Sequence, residues 1–168
     1  MKLTTRGQYA TRALLDLALH QDDEPVLLRD IAHRQQFSQQ YLEHLIKPLI
    51  AAGIMTSTRG RKGGVSLGRR PEDIGLDEVI YLLEGSVAPV QCVGNPGVCQ
   101  RSHLCAVRDV WDELRKAIDG VLQSITLRDL VERQRNKDKH PSDVLHLSEP
   151  TKKEYPDGEI LTVQGIGR

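Results

Sequence analysis

Apolar positions recur at helical spacing from Tyr9 to about His20, where Ala10, Ala13, Leu14, Leu17 and Ala18 share one face and the polar run QDDEP ends it. This pattern predicts a core helix. After Pro25, the residues Leu28, Ile31 and Ala32 mark a second, short helix from Leu28 to Gln35. Ser38 stands as an N-cap before a third helix, whose stripe Leu42, Leu45, Ile46 and Leu49 follows the i, i+3, i+4, i+7 pattern and which Gly53 can terminate. Pro48 lies inside that helix, where it lacks an amide hydrogen and its ring meets the carbonyl of His44, so a kink is expected.

Beyond Gly53 the period changes. Two short strand-like runs, 54–58 and 65–67, flank the turn RGRKGG and predict a β-hairpin with a glycine-rich tip. A further helix is expected over Leu76 to Glu84, ended by Gly85. From Ser86 to Leu104 there is no periodicity, only Pro, Gly and cysteines. The longest stripe follows: Val107, Val110, Trp111, Leu114, Ile118, Val121, Leu122 and Ile125. Thr126 caps a last short helix, Leu127 to Gln134, and the polar remainder from about Asn136 is expected to be a mobile tail.

A chain of 168 residues accommodates one domain with a helical extension, which disfavours a large multidomain enzyme. Aromatic residues are only 4% of the chain, so an aliphatic helix-packed core is expected. No stretch reaches the roughly eighteen apolar residues of a membrane span, and the opening MKLTTRGQYA lacks the apolar region of a signal peptide. The expected location is the cytoplasm, with no membrane partner. Formal net charge is zero, but its distribution is uneven. Residues 26–70 carry eight Lys or Arg against two acidic residues, whereas residues 71–168 carry twelve basic and seventeen acidic. A basic block of this kind is a candidate surface for a polyanion.

The order of two short helices, a turn and a basic two-stranded ribbon is that of a winged helix-turn-helix, in which the second helix of the pair enters the major groove. Opposite its apolar stripe the third helix carries Gln40, Glu43, His44 and Lys47, with Ser38, Gln39 and Tyr41 at its start. Gln can pair with adenine, Glu can accept from cytosine, and hydroxyls and first-turn amides can hold phosphate. Arg59, Arg61 and Lys62 stand between glycines at the hairpin tip, placed to reach a minor groove or flanking phosphates. The plain alternative is a solvated helix face beside a soluble loop; the adjacency of the two features favours double-stranded DNA.

All three cysteines, Cys92, Cys99 and Cys105, fall in one loop with spacing C-x6-C-x5-C. An odd number in a cytosolic chain argues against a disulfide framework. No close pair typical of structural zinc is present, although His103 could complete a Cys3His set. The wider spacing suits a loop wrapped around an iron-sulfur cluster, with Gly94, Pro96 and Gly97 between the thiols. Such clusters take four ligands, so one must come from His103, Asp109, a partner chain or a small thiol. Three unrelated buried thiols are the bland alternative.

These residues resemble the IscR-like family of iron-sulfur-dependent bacterial transcription regulators. The resemblance rests on MKLTTRGQYA, YLEHLIKPLIAAGIM, STRGRKGG, the three-cysteine loop and ITLRDLV, over roughly residues 1–134. It implies a homodimer, an N-terminal winged helix-turn-helix, a long antiparallel dimerisation helix at about Ala106 to Ile125, cluster ligation by Cys92, Cys99 and Cys105, and DNA contacts by Ser38, Tyr41 and Arg59. Two positions depart from relatives: Arg108 stands where some carry a histidine ligand, and Gln8 where others supply an acidic ligand across the dimer. Whether the cluster is 2Fe-2S or 4Fe-4S therefore stays open. The first cysteine interval is also one residue longer than in some members.

The expected fold class is mainly α with a small β-hairpin wing: a winged helix-turn-helix plus a long dimerisation helix. The expected organisation is a DNA-binding domain over 1–70, a connecting helix and loop over 71–91, a cluster-binding loop over 92–105, dimerisation and terminal helices over 106–134, and a tail over 135–168. The expected function is a homodimeric DNA-binding transcription regulator, not an enzyme, with no small-molecule substrate. Its operator affinity or choice would follow the state of an iron-sulfur cluster, through redox, iron or nitric oxide. The alternatives are a cluster-free winged-helix regulator controlled by thiol oxidation or a protein partner, and an electron-transfer or scaffold protein that binds no DNA.

Overall fold

The computed structural model describes residues 4–22, 24–60 and 63–139. Helix α1 (Thr5–His20) starts four residues before the position expected from its apolar stripe. The extra turn has a cause remote in sequence. Thr4 accepts from the Arg6 amide at 3.2 Å, and the Glu84 carboxylate accepts from the Gly7 amide at 2.8 Å and the Thr4 hydroxyl at 2.6 Å. Donors that a helix start leaves open are thereby satisfied. Helices α2 (Leu28–Gln35) and α3 (Gln39–Ala51) follow, with Ser38 as N-cap of α3 and Gly53 in the left-handed region beyond its end. Pro48 does not divide α3; the helix runs through it, and the Pro48 carbonyl accepts from the Ala52 amide.

Strands β1 (Met55–Thr58) and β2 (Gly64–Leu67) pair antiparallel in the register Met55 to Leu67 and Thr58 to Gly64. An isolated bridge between Val26 and Val65 ties this hairpin to the segment before α2. Gly64 is required there, because a Cβ would fall 2.9 Å from the Val26 carbonyl carbon. Helix α4 (Leu76–Glu84) occupies its expected span and turns at Gly85. The aperiodic segment contains one short helical turn, α5 (Gln91–Gly94), and two 3-10 turns at Pro96–Val98 and Ser102–Leu104.

Helix α6 (Ala106–Gln123) ends before Ile125, because the Ile125 carbonyl accepts from the Leu76 amide in a bridge that brings the chain back to the core. Helix α7 (Leu127–Lys139) is longer than expected: residues 136–139, assigned from composition to the tail, are helical. Polar side chains at i, i+4 spacing account for this, with Arg128 bonded to Glu132 and Gln134 to Asp138, and with Lys137 and Lys139 at the negative helix end. The rest of the expected tail, from residue 140, lies outside the described residues.

The core is aliphatic, as the shortage of aromatics predicts. Ala10, Leu14, Leu17, Ile31, Leu42, Leu49, Ile54, Met55 and Ile74 are buried together, and Leu127 of α7 joins them. Each such aliphatic side chain contributes about 1.5 to 3 kcal/mol on burial. Within this shell Asp16 is 2% exposed. Its carboxylate accepts three bonds from the Arg34 guanidinium, one at 2.6 Å and two at 3.1 Å, and one from the Gln35 side-chain amide at 2.9 Å, fastening α2 to α1. In contrast, no residue of α6 is buried.

Candidate nucleic-acid interface and cysteine loop

Burial of Leu42, Leu45, Ile46 and Leu49 fixes the roll of α3, and so places Gln40, Glu43, His44 and Lys47 in solvent. Ser38 and Gln39 are exposed at the helix start, where the Ser38 hydroxyl accepts from the Tyr41 amide at 3.4 Å. Gln39 donates to the Glu43 carboxylate at 3.0 Å, so these two candidate base readers form one polar unit before any ligand arrives. Tyr41 is 37% exposed and meets the Tyr9 ring edge-on at 6.1 Å. Tyr9 stacks on Phe37 at 4.2 Å, and the Arg12 guanidinium lies over Phe37 at 4.9 Å. Arg12 also donates to the Gln35 side chain at 3.1 Å. The turn between α2 and α3 is therefore braced from α1, a feature sequence reasoning missed.

Arg59 is exposed at the start of the hairpin tip, next to Gly60 at φ +114°. Gly63 closes the tip through a bond from its amide to the Gly60 carbonyl at 2.8 Å. Arg61 and Lys62 lie outside the described residues. The basic block is smaller in space than in sequence. Arg29 pairs with Asp30, Arg34 with Asp16, Arg69 with Glu78 and Arg70 with Asp73. The Asp73 bond raises the Arg70 pKa and lowers that of Asp73; Asp16 likewise raises that of Arg34. Among the described cations of this block, Lys47 on the outer face of α3 and Arg59 at the wing tip make no such ion pair.

Cys92 lies in α5, Cys99 follows the first 3-10 turn, and Cys105 is the N-cap of α6. All three are free thiols and half-buried. The loop between them is held by side chains bonded to its backbone carbonyls. The buried Ser102 hydroxyl lies 2.6 Å from the Pro96 carbonyl oxygen and 2.7 Å from that of Cys99, and Arg108 donates to the Cys92 carbonyl at 2.9 Å. His103 and Asp109, the candidate fourth ligands, are exposed. Among the described residues no three His, Cys, Asp or Glu converge closely enough to hold one metal ion. The donor set nevertheless fits a thiolate-bound cluster: three half-buried soft ligands on one short loop, the last of them the N-cap at the positive end of α6.

Helix α6 carries a second exposed feature beside this loop. Val107, Val110, Trp111, Leu114 and Val121 are 37% to 60% exposed, and Leu104 before them is 95% exposed. The opposite side of α6 is held to α4, where the Tyr81 hydroxyl bonds the Asp119 carboxylate and Arg115 bridges Asp119 and Asp112. That bond raises the Tyr81 pKa to about 12. No described helix is long and apolar enough to cross a membrane.

Comparison with known proteins places this arrangement. Residues 3–133 match the profile of the Rrf2 family, described as an iron-dependent transcriptional regulator. The chain is 47% identical over 131 residues to protein Rrf2 of Nitratidesulfovibrio vulgaris, covering 78% of this chain and 87% of that protein. It is 42% identical over 134 residues to the HTH-type transcriptional regulator IscR of Photorhabdus laumondii, covering 80% and 81%. In three dimensions it resembles CymR, the global cysteine regulator of B. subtilis, with a TM-score of 0.68 at 34% identity, covering 79% of this chain and 98% of that one. The winged-helix architecture, the family profile and these relatives agree: the chain belongs to the Rrf2 family of DNA-binding transcriptional regulators, and within it is IscR-like.

Proposed function

We propose that this regulator is a homodimer whose choice of operator, or affinity for it, follows the state of an iron-sulfur cluster held by Cys92, Cys99 and Cys105. The observation that carries the reading is the position of three free, half-buried thiols on one loop between α4 and α6. The family profile's description as iron-dependent supports it. When bound, a cluster of this kind supplies a crosslink among thiolates that responds to redox state, iron supply or nitric oxide.

The chain's own residues divide the remaining work. Ser38, Gln39, Gln40, Tyr41, Glu43, His44 and Lys47 form the major-groove face, and Arg59, Arg61 and Lys62 form the wing contact. The apolar face of α6 pairs with the same face of a second copy, since monomeric proteins seldom leave such a stripe in water. Gathering the three cysteines onto one centre would rearrange the 92–105 loop at the start of α6 and thereby adjust the separation of the two α3 helices.

A second reading has a specific observation in its favour. The thiols do not converge in the described structure, and CymR, a structural relative, is a cysteine regulator by name. On that reading the same loop acts through thiol oxidation or a protein partner, without a cluster. Anaerobic purification with visible spectroscopy and iron and sulfide counting separates the two. Coloured protein with stoichiometric iron and sulfide, abolished in Cys99→Ser while that variant stays dimeric, is the expected result. Colourless protein that still binds DNA assigns the chain to the second reading.

A further inference from the structure

A regulator needs a physical route from its input loop to its reading helix. The loop joins the molecule at Glu84, the last residue of α4, where Gly85 turns the chain at φ +73° towards Cys92. Glu84 is not a surface carboxylate without function. Its Oε1 accepts from both the Gly7 amide and the Thr4 hydroxyl, at 2.8 and 2.6 Å, and so caps the positive end of α1. Gly7 is buried because Glu84 lies on it: a Cβ there would sit 3.2 Å from the carboxyl carbon and closer still to Oε1. Two residues further along α1, Tyr9 stacks on Phe37 and meets Tyr41 of α3. Contact is therefore continuous from the loop anchor through the first turn of α1 to the start of the recognition helix.

We propose that Glu84 is a positioning residue that transmits the state of the cysteine loop to α3 through α1, Tyr9 and Phe37. The inference rests on the reading that the loop receives the signal, and not on whether the signal is a cluster or a thiol modification. The carboxylate suits this task because it grips a backbone amide and a side-chain hydroxyl of one helix from the end of another. A displacement of the α4 end then tilts α1 rather than dissipating in a flexible side chain.

The test uses the full-length protein and amide hydrogen exchange, with the loop thiols free and then alkylated with iodoacetamide. In the wild type, alkylation should alter exchange at Gly7 and, together with it, at Tyr41 and Leu42. In Glu84→Ala the response at Tyr41 and Leu42 should shrink at least about fivefold, at the lower end of typical allosteric coupling. Glu84→Gln keeps an acceptor oxygen and should retain most of the response. Gly7→Ala separates coupling from mere stability: its methyl displaces the Glu84 carboxylate, yet alanine is the better helix former. That variant should melt no earlier than the wild type and still lose the α3 response.

An undiminished α3 response in Glu84→Ala and Gly7→Ala, or no α3 response in the wild type, overturns the proposal. Iron counting on the same samples keeps the two readings apart. Iron-free protein with an intact relay refutes only the cluster, and iron-loaded protein without a relay refutes only the role of Glu84.

Discussion

The winged-helix half and the cysteine half of this chain are held together by opposite means. In the first, Leu14, Leu17, Ile31, Leu42 and Leu49 are sealed from water and Asp16 spends its charge on Arg34 and Gln35. In the second, α6 buries no residue, the thiols stand apart, and order comes from side-chain bonds to backbone carbonyls such as those of the Ser102 hydroxyl. On the proposed function, a reading head must present a fixed face to a fixed groove, so rigidity would serve it. An input loop and a pairing helix would have to respond to what binds them, and low local stability would serve that.

Matched substitutions in the two halves sharpen this contrast most. Leu17→Ala empties a fully buried site and should lower unfolding free energy by about 2 to 5 kcal/mol in chemical denaturation. Leu114→Glu, at a 43% exposed position of α6, should leave the monomer's secondary structure intact but convert the proposed dimer to monomer in analytical ultracentrifugation. If Leu114→Glu unfolds the chain as Leu17→Ala does, the two halves are not energetically distinct.

Smaller effects are expected at the reading face. Arg59→Ala should weaken every duplex tested and reduce the salt slope by about 1, whereas Gln40→Ala should change preference at one base position by about 1 to 3 kcal/mol. Salt-dependent titrations across a randomised site measure both. Uniform tolerance of both variants refutes the groove assignment.

The smallest effect concerns the latch between the halves. Hydrogen bonding to Asp119 raises the Tyr81 pKa to about 12, above the ordinary tyrosine value near 10. A raised pKa means that the latch contributes fully below about pH 10 and is lost as pH rises towards about 12. Denaturation midpoints measured across that alkaline window should fall in the wild type and stay flatter in Tyr81→Phe. The opposite slope would remove the latch from the link between α4 and α6.

Most helices were legible in the chain itself. The stripe from Leu42 to Leu49, the Ser38 cap and the glycines at 53 and 85 set α3 and α4 where short-range rules place them. The face of α3 presented to solvent followed from the same stripe. Half the basic block was misleading, because Arg29, Arg34, Arg69 and Arg70 carry acidic partners, two of them more than three residues away in sequence. The one available hint was Asp16 amid the apolar positions of α1, which signals a buried pair before the partner is known.

By itself the sequence determined which segments are helical and which form the hairpin, the exposed side of α3, and the chemistry of three thiols in one loop. These are consequences of side-chain period, capping and residue type, which act over a few residues. Tertiary structure alone decided that Glu84 starts α1, that Leu127 returns to the core through the Gly75–Thr126 bridge, and that Tyr9, Phe37 and Tyr41 meet. Those pairings join residues distant along the chain, and their partners are selected by packing in space, which no local period encodes.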